Sequence, residues 1–317
     1  MPTSALNPRV VRTELDRVVY SIFNPQMKPG FVSVADKRIF NQIPSDKGSE
    51  QEEIFAGSGY WEKRGETQNV PLGQSKFGQK VTYTHTEFSR QEEIPKHFFD
   101  DAKFNAITNI VKAMMNNGKS TQELNGFAAF RNAFTATTGT LTSDGLSLCN
   151  NSHTLLNSSM TVDNYLTAKL GDDTINEMIQ KLAEMKGQDG VMSFGTDPEV
   201  LLTACYNFKR ACELIESELS AETANNAINV YSSKYGIYVA QSKFLGAAAG
   251  GSDHYAFLLG KGHQINRYIR EAINTWHRTW EETNNRTFVY GGAYRETIGV
   301  PDFVGAVGTD GTTGAYA

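Results

Sequence analysis

Residues 91–118 (QEEIPKHFFDDAKFNAITNIVKAMMNNG) form the longest amphipathic stretch of the chain, and they constrain its fold more than any other segment. Phe104, Ile107, Val111 and Met114 fall on one helical face, and Ile110 and Met115 widen it. Glu92 and Glu93 suit a helix N-terminus, and Pro95 suits its first turn. Asn116, Asn117 and Gly118 supply a stop signal. About 28 residues at 1.5 Å each predict a rod of roughly 40 Å. A rod of that length, preceded by a strand-like stretch punctuated by glycines, predicts an elongated building block.

Length and composition bound the alternatives. A chain of 317 residues can bury a sizeable core and supports about two domains. A net charge of −5 argues against a general nucleic-acid-binding surface. No run of 18 apolar residues is present, so no membrane span is expected. The first 20 residues lack the basic patch and apolar core of a secretory signal. Cys149, Cys205 and Cys212 show no framework spacing and are expected to be reduced thiols.

In chain order, Val10, Val11, Leu15, Val18, Val19 and Ile22 predict a short helix within an arm over residues 1–55. Residues 56–90 predict an extended β-hairpin loop. β-branched and aromatic residues dominate residues 81–88, and Gly65, Pro71, Gly73 and Gly78 mark turns. After the long helix, residues 120–123 (STQE) resemble a capping box opening a second helix, with Leu124, Phe127, Phe130, Ala133 and Phe134 facing inward. A third helix is expected from Asp172, carrying Ile175, Met178, Ile179, Leu182 and Met185. Residues 191–196 suggest a strand. Asp197 and Pro198 then suggest the start of a helix whose buried face includes Leu201, Ala204, Cys205, Phe208, Ala211, Cys212 and Ile215. INVY, YGIYVAQ and HYAFLLG suggest strands, TFVYGGAYRETIGV a hairpin, and the last nine residues a flexible tail.

Catalytic signatures are weak. FLGAAAGGSDH lacks the Lys-Ser/Thr of a phosphate loop. Cys149 and His153 are four residues apart and invite a thiol nucleophile or a metal site, but no second Cys/His pair lies nearby. His85, His254, His263 and His277 are unclustered. No cofactor and no metal are expected, and the residues do not add up to an active site. Arg267, Arg270, Arg278, Arg286 and Arg295, with Trp276 and Trp280 among them, are residue types that commonly anchor protein contacts; the same residues suit weak binding of nucleic-acid phosphates or a structural surface role equally well.

Several strings, in order, resemble the major capsid proteins of tailed bacteriophages with the Hong Kong 97-type fold, the Mu-like major head subunits above all. They are NNGKSTQELNGFAAFRNAFT, SDGLSLCNNSHTLLNSSMTVDN, GVMSFGTDPEVLLTACYNFKRACELIESELSAETANNAINVY and YRETIGVPDFVGAVGTDG. Residues 196–199 depart from the Val-Pro-Pro type run that relatives often carry. The resemblance implies an α+β fold with an N-terminal arm (1–55), an extended loop (56–90) and a peripheral domain with a spine helix (91–186, helix 91–118). An axial domain (187–262) would follow, and return strands and a tail (263–317) would complete the peripheral domain. It implies a non-enzymatic subunit forming hexamers and pentamers of an icosahedral shell around double-stranded DNA, held non-specifically. The implied partners are a separate scaffolding protein and a portal protein, with no membrane, and assembly would take place in the host cytoplasm.

Within that resemblance, the expected intersubunit contacts are Tyr60, Trp61, Lys63, Arg64, Lys76, Phe77 and Lys80 in the loop, and Arg267, Arg270, Trp276 and Trp280 near the C-terminus. Some relatives join this loop to a neighbour through a Lys–Asn isopeptide bond, for which Lys63, Lys76 and Lys80 are the available amines. Removing residues 60–85 is expected to block assembly and spare the body. The alternatives are a decoration or tail component of a virion and a Cys-dependent hydrolase using Cys149 and His153.

Overall fold

The computed structural model describes Thr13, Asp16, Arg17, Ile22 and residues 30–101, 103–192, 196–219 and 228–314. Two sheets carry the core, and a third, two-stranded ladder leaves it. The strands in chain order are β1 (Asn41–Pro44), β2 (Ser49–Ala56), β3 (Lys76–Thr84), β4 (Thr86–Pro95), β5 (His153–Thr154), β6 (Thr161–Val162) and β7 (Tyr165–Ala168). They continue with β8 (Pro198–Ala204), β9 (Tyr238–Ser242), β10 (Ala256–Gly260), β11 (Asn266–Arg278), β12 (Thr287–Gly299) and β13 (Ala306–Thr313). The helices are α1 (Lys96–Asp100), α2 (Phe104–Gly126), α3 (Ala128–Arg131), α4 (Asp172–Ala183) and α5 (Phe208–Ile215).

The first sheet has the order β1-β11-β12-β4, and α2 packs on it. Ile107, Val111, Met114 and Met115 of α2 meet Ile94 of β4 and Phe288 and Tyr290 of β12. The apolar face expected of the long helix is therefore the buried one. Its limits differ from the sequence expectation. Residues 91–95 belong to β4, which pairs with β12 from Pro95 opposite Thr287 to Thr86 opposite Glu296. Glu92 and Glu93 are thus ladder residues, because a long-range strand partner outweighs local helix-start signals.

The helix also runs through Asn116, Asn117 and Gly118 and ends at Gly126, so residues 120–123 open no second helix. A mid-helix glycine costs only about 1 kcal/mol, and the following turn is fastened by long-range contacts. Gln122 Nε2 donates to Glu296 at 3.1 Å, and Glu123 accepts the Val34 N–H at 2.9 Å. At 23 residues the helix spans roughly 35 Å.

The second sheet has the order β7-β13-β10-β8-β9 and is buried on both faces. Val200, Leu202, Phe257 and Leu259 face a core shared with Phe40, Phe127 and Phe130. Leu201, Leu258, Val239 and Val307 face the core built by α4 and α5. The helix expected from Pro198 is therefore a strand until Ala204, and only Phe208–Ile215 is helical. A central strand covered on both faces shows a continuous apolar run, which periodicity cannot separate from a buried helix. The change of element also moves the cysteines: Cys205 is exposed, Cys212 is half-buried, and Cys149 is buried.

Other boundaries move for related reasons. TFVYGGAYRETIGV, all but its last residue, is one 13-residue strand, β12, and not a hairpin. Gly291 and Gly292 sit where a side chain has no room: a Cβ would lie 2.5 Å from the Trp276 ring and 2.9 Å from Met115 Cε, respectively. Val32, Val34, Ile39 and Phe40 are core residues, so the expected arm over 1–55 contains part of the body. Of the expected arm helix, Thr13, Asp16, Arg17 and Ile22 are helical, and Val10, Val11, Leu15, Val18 and Val19 lie outside the described residues. INVY holds only an isolated bridge, Leu219 with Ile228, before a wide turn at Tyr231–Tyr235. β7 and β13 join the five-stranded sheet, so residues 187–262 do not close a unit by themselves and residues 309–313 are strand rather than tail. Strand 191–196 lies partly outside the described residues.

Candidate functional site

The segment that projects is the β2–β3 ladder with its tip, residues 57–75. β2 and β3 pair antiparallel from Ser49 opposite Thr84 to Ala56 opposite Lys76, with an irregularity between Glu53 and Phe55. Both strands are rich in charged and polar residues, so few of their side chains enter a core. At the root, Tyr83 is buried and stacks on Tyr268 with ring centroids 6.3 Å apart. Further out, Phe55 and Phe77 pair with centroids 5.4 Å apart while remaining more than half exposed. At the tip, Trp61 is 96% exposed and Leu72 93%, with Tyr60 and Val70 also open. Tyr206 and Ile228 are also largely exposed, but Tyr60, Trp61, Val70 and Leu72 line one patch within a single tip, and grouped apolar exposure of this kind marks interaction surfaces.

The expected contact residues divide by place. Tyr60, Trp61, Lys63, Arg64, Lys76, Phe77 and Lys80 are all exposed on this ladder and tip. Lys80 pairs with Glu53 at 3.6 Å, a surface pair of small energetic weight. Lys76 Nζ donates to the Leu156 carbonyl at 3.4 Å. Arg270 and Trp276 are half-buried on β11. Trp280 is half-buried and packs on Phe99 with centroids 5.5 Å apart, anchoring the α2 core.

Arg267 is a correction. It is buried, its Nε donates to Glu296 at 3.0 Å and its Nη1 to Gln42 at 3.0 Å, so its guanidinium ties β1, β11 and β12 together inside the chain. Phe55, Val70 and Leu72 were not singled out from sequence. The signal that finds them is an apolar residue in a stretch with no periodicity to place it in a core: Val70 and Leu72 flank Pro71 in an otherwise polar loop.

The thiol-hydrolase reading meets contrary geometry. Cys149 is buried, and burial pushes its thiol well above the usual cysteine value, away from the reactive thiolate. His153 is fully buried, stacked on Phe303 with centroids 4.1 Å apart. Its Nδ1 lies 2.7 Å from Asp144 and its Nε2 3.2 Å from the Leu148 carbonyl. Burial raises Asp144, but hydrogen bonds from His153, Thr142 and the Leu146 N–H hold it below its ordinary value. This cluster fastens the 142–153 loop. Among the described residues no group of three or more His, Cys, Asp or Glu side chains is placed to hold a metal ion, and no helix is long and apolar enough to cross a membrane.

No protein-family model matches the chain, and no curated protein matches it significantly. Solved structures do. A chain of Microbacterium phage Oxtober96 is 11% identical with a TM-score of 0.52, covering 90% of this chain and 93% of that one. The capsid of the cyanophage P-SCSP1u is 10% identical with a TM-score of 0.53, covering 90% of each chain. A virus-like particle from Pyrococcus furiosus is 7% identical with a TM-score of 0.51, covering 94% of this chain and 98% of that one. Likeness across nearly the whole of both chains at such low identity shows a shared fold. The chain has the mixed helix-and-sheet, Hong Kong 97-type fold expected from its sequence strings.

Proposed function

We propose that this chain is a major capsid protein that self-assembles, through hexamers and pentamers, into the icosahedral head shell enclosing the double-stranded DNA of a tailed bacteriophage. The observation that carries the reading is the projecting ladder. A two-sheet body with its own complete cores extends a tip whose Trp61 and Leu72 are almost fully exposed. A tip that differs from the surface it meets makes a heterologous contact, and heterologous contacts build rings such as hexamers and pentamers where the rotation closes. Interfaces built from such extensions gain area that a flat patch does not offer. The capsid and particle chains sharing the fold support the same reading.

Within it, the four-stranded sheet with α2 is the peripheral domain and α2 its spine. The five-stranded sheet with α4 and α5 is the axial domain, and residues 49–84 are the extended loop. The finished location is the virion, after assembly in the host cytoplasm. A separate scaffolding protein and a portal protein are the assembly partners, and the DNA is held without sequence preference.

The test is to replace residues 60–73 with a short Gly-Ser link and image the expressed protein, with its scaffold, by negative stain. Shells from the unaltered chain, and a folded variant that forms none, are the expected results. A chain that remains monomeric at high concentration with scaffold present overturns the reading. The wider deletion of 60–85 is unsuitable, because Tyr83 and His85 are buried at the root.

A further inference from the structure

The same ladder that projects is also tied down at one place on its own chain. Asn157 Nδ2 donates to the Gly57 carbonyl at 2.8 Å and to the Gln74 carbonyl at 2.8 Å. One side-chain amide therefore grips both ends of the tip segment, at its start and at its finish. Beside it, the Met192 N–H donates to the Tyr60 hydroxyl oxygen at 3.0 Å. Leu156 fills the space over Gly78, where a Cβ would lie 2.9 Å from Leu156 Cδ1.

Asn157 is itself held. Its backbone N–H donates to the Gln188 carbonyl at 3.0 Å, and the Leu156 N–H reaches Gln188 Oε1 at 3.4 Å. The buried Gln188 side chain in turn donates to the buried Asp302 at 2.9 Å. A continuous set of hydrogen bonds thus runs from the interior of the five-stranded-sheet unit to both roots of the tip.

We infer that Asn157 is a latch that holds the tip against its own subunit, in competition with the contacts the tip makes to a second copy of this chain. The inference rests on the shell reading for its second half only, since the latch itself belongs to the single chain. Asn157 donates only to backbone carbonyls, the Tyr60 hydroxyl adding a side-chain contact beside it, and this hold leaves Trp61 and Leu72 uncovered. Its strength is that of a few hydrogen bonds, enough to bias the tip and weak enough to be displaced by a partner.

The test compares the full chain with Asn157→Ala, which removes both donors, and with the near-isosteric Asn157→Asp, which removes both donors and turns a carboxylate toward the two carbonyls. Trypsin cleavage at Lys63 and Arg64 reports release of the tip, and far-UV circular dichroism on heating reports the body. Cleavage about tenfold faster in both variants, the scale of two lost hydrogen bonds, with an unchanged melting profile and assembly starting at lower protein concentration, is the expected result. Unchanged cleavage in Asn157→Asp overturns the latch. Faster cleavage with unchanged assembly overturns the competition. Absence of shells from all three chains removes the shell reading, while the cleavage rates still decide the latch.

Discussion

The β2–β3 and β11–β12 ladders are both long, antiparallel and aromatic, but only the second is covered. On β12, Phe288, Tyr290 and Tyr294 are almost fully buried, the first two against α2 and its neighbours. On the other ladder, Phe55 and Phe77 are more than half exposed and lean on each other. Aromatic residues occur in both ladders, so their presence does not decide burial. Cover does, and the cover of β12 comes from a helix more than 160 residues earlier in the chain. The uncovered ladder keeps its outer aromatic residues open, and the covered one is the frame at its root, through the Tyr83–Tyr268 stack.

The largest break in this contrast is Val111→Asp. Val111 is fully buried between α2 and the sheet. An unpaired carboxylate there costs several kcal/mol, comparable to the whole stability of an ordinary domain. The expected result is loss of native circular dichroism and aggregation on size exclusion. Next is Glu296→Ala on β12. It removes the carboxylate that receives Arg267 and Gln122, stranding a buried guanidinium. The expected loss is about 3–5 kcal/mol, read as a lower denaturant midpoint in urea.

A subtler break is acid. His263 lies at the turn between β10 and β11, where Nδ1 accepts the Ile265 N–H at 3.3 Å and Nε2 meets the Arg38 carbonyl at 3.1 Å. Burial lowers its pKa below 6.5, outweighing the hydrogen bond to Arg38 and the pull of Glu199. The unfolded chain then takes up a proton before the folded one, so stability held above pH 6.5 is lost as pH falls through the folded value. Denaturant midpoints between pH 8 and pH 5 should fall for the native chain and fall less for His263→Gln. The smallest effect on folding comes from the uncovered ladder. Trp61→Ser with Leu72→Ser should change stability by less than about 0.5 kcal/mol and still abolish shells in the microscope. A large fall in midpoint would show that the tip is part of the core and erase the contrast.

These outcomes also separate what was legible in the residues from what was not. The buried face of α2 was legible because Ile107, Val111 and Met114 recur at helical spacing, and the same holds for α4. The exposed tip is legible because Tyr60 and Trp61 lie among turn residues with no periodicity to draw them inward. β8 reads as helix in the sequence because both its faces are buried, and β4 reads as the start of α2 because its acids and proline imitate a helix entry. Arg267 has the residue type of a surface anchor, but its partner Glu296, 29 residues away, holds it inside the chain.

By itself, then, the sequence determined a long amphipathic helix and a turn-rich ladder, since each depends on spacing or composition within a short window. The tertiary structure alone decided that β4 is strand, that Gly118 does not end the helix, that β7 and β13 complete the second sheet, and that Asn157 holds both ends of the tip. Each of those depends on a partner distant along the chain. Local propensities are worth tenths of a kcal/mol per residue, whereas a ladder or a buried contact contributes more once the chain has brought the partners together.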